Sequence, residues 1–185
     1  MDINTLLISP DYIKKFSVVG DNTMDAYITP AILDSQLIGL QPIIGTMLYD
    51  KVCQLVADDT ISLEINEKYK ELLDNYISQY LLNKVQSELC INLFAKMRNA
   101  GMVYYADNNE QQMTIKDINF IRAEFDSKAS FYAKRMTDYL CSNSKDFKEW
   151  HNRRDCSDMP SDKKDAYSGN LNLHKYRNTK QRYDL

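Results

Sequence analysis

The residues that most often carry chemistry are sparse in this chain and badly placed for it. There are 2 histidines in 185 residues, His151 and His174. Both fall in a C-terminal stretch without regular patterning, so no Ser/His/Asp or Cys/His set can be assembled on rigid elements. The 4 cysteines, Cys53, Cys90, Cys141 and Cys156, stand far apart, with no CxxC and no zinc-ligand spacing. Cys53 and Cys90 fall on apolar helix faces, where cysteine acts as a small hydrophobe. Glu64, Glu67, Glu71 and Asp74 offer carboxylates three and four apart that share a helix face. No Glu-x-x-His accompanies them, as a di-iron bundle would require, and a helix start attracts acids through its dipole. Pro42-Ile43-Ile44-Gly45-Thr46 lacks the second glycine, the lysine and the preceding strand of a phosphate loop. The expectation is a chain that is not an enzyme, with no catalytic residues, no metal and no cofactor.

The elements that would position these residues are helices. Ser9-Pro10-Asp11 is a helix start, with serine at the N-cap, proline at the first position and aspartate at the positive end of the dipole. The helix should fade before Gly20. Thr29-Pro30 repeats the signal for a helix ending near Gly39. Gln41-Pro42 opens a third, burying Ile43, Ile44, Met47, Leu48, Val52, Leu55 and Val56 and stopping at Asp58-Asp59-Thr60. Tyr69, Leu72, Leu73, Tyr76, Ile77, Tyr80, Leu81, Val85, Leu89, Leu93 and Met97 then trace one face of an amphipathic helix. From Asn66 to Ala100 there is no Gly or Pro, and these 35 residues span roughly 52 Å at 1.5 Å per residue. Gly101 stands where a left-handed C′ residue belongs.

Beyond Gly101 the period changes. Met102-Val103-Tyr104-Tyr105 is rich in strand formers and Asp107-Asn108-Asn109 is turn chemistry, so a small β-hairpin is expected near 102–114. Thr114 with Asp117 forms a capping box in which aspartate replaces the usual glutamate. The second long helix carries Ile118, Ile121, Phe125, Ala129, Tyr132, Met136, Tyr139 and Leu140 on one face and should end near Ser142-Asn143. The fold class is therefore mainly α: an elongated helical bundle of two long helices and short N-terminal ones, with a hairpin and an extended tail. Residues 1–150 form the helical domain and 151–185 the tail.

Hydrophobic residues make up 44% of the chain, enough for a core, and the net charge is −3 with a pI near 5.4. Such a balance gives no global reason to seek DNA or an anionic membrane. Charge is uneven, with 9 basic and 7 acidic residues from Asp146 onward, leaving 14 basic and 19 acidic before it. A tail of net +2 can thus attract a body of net −5, within or between chains. No window approaches the roughly 18 apolar residues of a membrane helix, and Met1-Asp2-Ile3-Asn4 lacks the basic start of a signal peptide. Pro30 to Val56 superficially suits a DNA-reading helix-turn-helix. Its second helix carries Lys51 as its one base, too few for phosphate contacts.

Two groups are candidates for contact. Tyr69, Tyr76 and Tyr80 share a face of the long helix, where they serve either the core or a subunit interface, tyrosine being enriched in the latter. In the tail, Leu171, Leu173, Tyr176 and Tyr183 could anchor on a partner while Lys175, Arg177, Lys180 and Arg182 select where the tail lands. The alternatives for these bases are a solvated tail or contact with nucleic acid in a confined channel.

The stretch Ile28-Thr29-Pro30-Ala31-Ile32-Leu33-Asp34-Ser35-Gln36-Leu37, followed by Leu40-Gln41-Pro42-Ile43-Ile44-Gly45-Thr46-Met47-Leu48-Tyr49, resembles the head-to-tail connector (adaptor) proteins of tailed bacteriophages. It is most like those of crAss-like phages of Bacteroidota. The long helix, the Asn99-Ala100-Gly101 turn and the second long helix closing in Tyr139-Leu140 support the resemblance, which covers roughly Asp11 to Trp150. Its motifs are packing motifs. The resemblance implies a structural virion protein assembled in the host cytoplasm: a homo-oligomeric ring, twelve-fold, at the head–tail junction. There it would bind the portal protein and the next tail component, extend the DNA channel, touch packaged DNA non-specifically, and have no membrane partner. The alternatives are a cytosolic helical binding module or regulator that grips another helix and, further off, a nucleic-acid-binding protein working through the basic tail.

Overall fold

The computed structural model describes residues 5–98, 101–104 and 114–151, with side chains described over 5–93 and 114–150. The chain is mainly helical. Helix α1 spans Pro10–Phe16, and its N-cap Ser9 accepts a hydrogen bond from the Tyr12 amide, as the Ser-Pro-Asp start requires. Helix α2 runs Asp25–Asp34 with Pro30 inside it, so Thr29-Pro30 does not open a helix. The start lies five residues earlier because Ile28, Ala31 and Ile32 bury together along one face. Ala26, whose carbonyl Pro30 leaves without a helical donor, is exposed and open to water.

Gly39 does not stop this helix either. The chain passes through a π turn, Ser35–Leu40, straight into the short α3, Gln41–Ile44. The break falls at Gly45, whose φ of 84° and ψ of 155° suit glycine and strain any other residue. Helix α4, Thr46–Ala57, follows as a separate element. The third helix expected from the sequence is thus two helices, and the bend lets Ile44, Leu48, Val52 and Cys53 all reach the core.

The long helix is a composite path: a 3₁₀ turn at Glu64–Asn66, α5 at Glu67–Leu72, a π turn at Leu73–Ile77, and α6 at Ser78–Phe94. The extra residue of the π turn lets Leu72 and Leu73 both bury, after which Ile77, Leu81, Val85 and Leu89 follow in steps of four. Buried Ser78 closes the turn by donating its hydroxyl to the Leu73 carbonyl at 2.7 Å.

Helix α6 ends at Phe94, short of the expected Ala100. Strand β1, Ala95–Arg98, pairs antiparallel with β2, Gly101–Tyr104, in the register Ala95↔Tyr104 to Arg98↔Gly101. The hairpin expected near 102–114 is therefore not found in that form. The strand-forming run Met102-Val103-Tyr104 takes its partner from the preceding residues, and Gly101 opens a strand rather than capping a helix. Pairing across a two-residue link overrides the helix propensity of Ala95-Lys96-Met97. The expected return strand from Gln111 lies outside the described residues up to Thr114. There the capping box forms as expected, Thr114 and Asp117 satisfying each other's backbone amides. Helix α7 spans Ile115–Ser142, and a 3₁₀ turn at Lys148–His151 closes the described chain.

Helices α6 and α7 lie antiparallel: Tyr76 stacks on Tyr139 at one end and Ser87 bonds Asp126 further along. Helix α2 and the Ser35–Leu40 turn pack against α6, α1 packs on α2, and α4 packs on α3 and on the Lys148–His151 turn; the core runs through Leu72, Ile77, Leu81 and Val85. Phe147 and Trp150 fold back to close its end.

Candidate interaction surface

After α1 the chain runs as Ser17-Val18-Val19 across α6. The Val18 amide donates to Gln86 Oε1 at 3.3 Å and the Val19 amide to Ser17 Oγ at 3.0 Å, which fixes the crossing. Beneath it, Ser87 Oγ donates to Asp126 Oδ1 at 2.8 Å, and Lys84 bridges Glu88 at 2.9 Å and Asp126 at 3.2 Å. This network ties α6 to α7, and a groove of about 910 Å³ lies between the crossing segment, α6 and α7.

The groove wall is apolar in part, and its charged groups are basic. Phe16, Val18, Leu82, Phe125, Phe131 and Tyr132 line it beside the uncharged polar Ser17, Gln79, Asn83, Gln86 and Ser127, together with Lys15 and Lys128, and no acid does. Phe16 is 54%, Val18 82% and Phe131 59% exposed, a cluster of large apolar groups at one surface site. Lys15 Nζ stands 5.3 Å over the Phe16 ring, Lys128 Nζ 5.4 Å over Phe125, and the Arg135 guanidinium 6.0 Å over Phe131. The aromatic faces thereby hold cations beside the apolar wall. A second hollow of about 210 Å³ shares Val18, Gln86 and Phe125 and extends the surface to Leu89, Cys90 and Leu93.

A second outward feature lies at the start of the long helical path. Between Asp58 and Glu67 the sequence has 4 acids and no base. Its apolar members point out: Leu63 is 54% and Ile65 87% exposed. The loop is pinned. The amides of Thr60 and Ile61 both reach the Leu55 carbonyl, at 3.0 and 3.1 Å, and Asn66 Nδ2 donates to the Thr60 carbonyl at 2.9 Å. Asp59 takes a left-handed φ of 53° to make the turn, a conformation aspartate tolerates.

The three tyrosines proposed for contact turn inward. Tyr69 donates to Glu149 Oε2 at 2.9 Å and meets Phe147 edge-on at 5.4 Å. Tyr76 stacks on Tyr139 at 4.3 Å. Tyr80 is 5% exposed, and burial, then Asp126 and Glu88, pushes its hydroxyl up to about 12. Tyr69 is likewise pushed up by burial and by Glu149. Within one chain the three close the core of the two-helix pair; they do not form one exposed patch. The tail candidates Leu171, Leu173, Lys175, Tyr176, Arg177, Lys180, Arg182 and Tyr183 lie outside the described residues. Cys53, Cys90 and Cys141 are free thiols, and burial raises Cys53 to about 11, an inert setting. Cys156 lies outside the described residues. Among those described, no His, Cys, Asp and Glu gather into a group that could hold a metal, and no helix is long and apolar enough to cross a membrane.

The sequence reading missed the groove. One signal was available. Phe131 stands off the stripe of Ala129, Met136 and Leu140 that α7 buries and lines the groove.

Residues 40–159 match a family described as a family of unknown function (DUF6712). No curated protein and no solved structure matches the chain.

Proposed function

The chain belongs to that family on a match covering more than half its length, and from its own residues we propose that it is a structural virion protein of a tailed bacteriophage. In this proposal copies form a twelve-fold ring that joins the portal to the tail and extends the DNA channel, placing the chain at the head–tail junction after assembly in the host cytoplasm. The observation that carries the proposal is the division of polar and apolar groups. The interior is tied up in packing and in hydrogen bonds such as those of Ser78, Ser87 and Tyr69, while the surface presents a basic-rimmed apolar groove and a separate acid-flanked apolar loop. These features suit protein contact, and two unlike surfaces on one chain suit head-to-tail association, which closes into a ring when the rotation between copies allows. The resemblance of Ile28–Leu37 and Leu40–Tyr49 to head-to-tail connectors supplies the place.

The groove would also accept an amphipathic helix of a cytosolic partner, the regulator reading. Electron microscopy of the purified chain alone and with its portal separates the two. Rings that stack on the portal are expected. A chain that neither forms rings nor joins the portal, yet captures a single helical protein in an equimolar complex, would overturn the connector reading.

A further inference from the structure

We infer that the acid-flanked loop of one copy, carrying Leu63 and Ile65, seats in the basic-rimmed groove formed by Phe16, Val18, Phe131 and Lys128 of the next copy. That the chain self-associates rests on the ring proposal above; which two surfaces meet rests on charge and exposure. The loop offers Asp58, Asp59, Glu64 and Glu67, all exposed, around two of the chain's exposed aliphatic residues. The groove offers the reverse charge, apolar and aromatic side chains beside uncharged polar ones, with Lys15 and Lys128 and no acid. Each surface lacks what the other has. Opposite rims around matched apolar centres give affinity through the centre, and register and approach through the rim.

One copy cannot satisfy itself. Ile65 and Leu82, which lines the groove, lie on a single helical path, and 17 residues at 1.5 Å put them roughly 25 Å apart. The loop is pinned to Leu55 and Thr60, so it cannot swing across that span. The two surfaces differ from each other, so the contact either reciprocates within a two-fold dimer or repeats from copy to copy, and the ring proposal takes the second. The groove's volume of about 910 Å³ exceeds what two aliphatic side chains fill.

The test uses the full chain in sedimentation velocity over a range of concentration and salt. Self-association that weakens as salt rises is expected. Ile65→Asp and Phe131→Asp, both at exposed positions and so compatible with folding, should each leave monomer. Two charge-reversed proteins decide the pairing: Lys15→Glu with Lys128→Glu, and Glu64→Lys with Glu67→Lys. Each alone should associate at least about tenfold more weakly than the parent, and the two mixed should recover association with one another, which a loss of folding cannot mimic. Failure of the mixture to recover overturns the pairing. Association unaffected by any of the reversals also overturns it, while leaving the ring proposal standing on other surfaces. Recovered pairing that builds open filaments supports the contact and sinks the closed ring. Loss of association in Leu171→Asp but not in Ile65→Asp would put a different segment in the groove, and the pairing would again be wrong. A parent chain that stays monomeric throughout overturns both.

Discussion

Replacing Gln36 with leucine removes a side chain of similar size that ties three parts of the chain together. Gln36 is fully buried in the π turn Ser35–Leu40. Its Oε1 accepts from the Leu7 amide at 2.9 Å, and its Nε2 donates to the Thr5 carbonyl at 3.0 Å and to the Tyr49 hydroxyl at 3.1 Å. Leucine fills the space but leaves the Leu7 amide in the core without its partner, at about 1–3 kcal/mol for a buried donor. The other two bonds contribute about 0.5–1 kcal/mol each, because their partners retain some access to alternatives. The sum is about 3 kcal/mol, which for a chain of this length lowers Tm by roughly 6–12 °C. The loss should be local first. Thermal melts followed by circular dichroism give the total, and amide exchange at Leu7 and Ile8 should accelerate more than at Leu81. The Gln36→Glu protein supplies a sign check. Only a protonated carboxyl can donate to the Thr5 carbonyl, so its folded-state pKa is raised; its stability should be greatest at acid pH and fall as pH rises through that pKa. A drop in Tm below about 3 °C with unchanged exchange at Leu7 would refute the idea that Gln36 holds the N-terminal segment in the core.

Gly39→Ala places a Cβ 2.6 Å from the buried Tyr80 hydroxyl, so it should destabilise by about 1–3 kcal/mol; the added Tyr80→Phe change should restore most of that loss, and strict additivity in this double-mutant cycle would argue against the contact. On the alkaline side, burial raises both Tyr49 and Tyr80 to about 12. The folded state keeps these protons where the unfolded chain, titrating near pH 10, loses them. Stability should hold below about pH 10 and fall as pH rises toward 12, read by denaturant melts alongside tyrosinate absorbance; a flat profile across that window would show the hydroxyls to be open to solvent. Leu81→Asp puts a charge at a position with no exposure and should abolish folding, whereas Phe125→Asp sits on the half-buried groove wall and should leave a folded, less stable protein; equal circular dichroism from the two would refute that ranking.

The sequence alone was enough for what short-range chemistry controls. The Ser9 cap, the Thr114–Asp117 capping box, the end of α7 at Ser142 and the buried stripe from Leu72 to Leu89 follow from capping groups and apolar spacing, which act within a few residues. The stops were harder, because a helix continues or ends according to what its next turn packs against. Thr29-Pro30 looks like a start, yet α2 begins at Asp25 since Ile28 has a core to enter. Gly39 looks like a stop, yet the chain runs on through a π turn because only a glycine there admits the Tyr80 hydroxyl, and Gly45 breaks the helix instead. Ala95–Arg98 reads as helix until β2 comes within pairing distance. Tertiary structure alone decided which side chains stay uncovered. Tyr69, Tyr76 and Tyr80 suit core or contact alike by composition; packing buries Tyr80 and leaves Tyr69 and Tyr76 half-buried against Phe147 and Tyr139. Phe16 and Val18 come from one stretch and Phe131 from another, and they become one groove only when the segment after α1 crosses α6. Spacing along a chain records which side chains share a face; which face is left uncovered depends on partners distant in sequence.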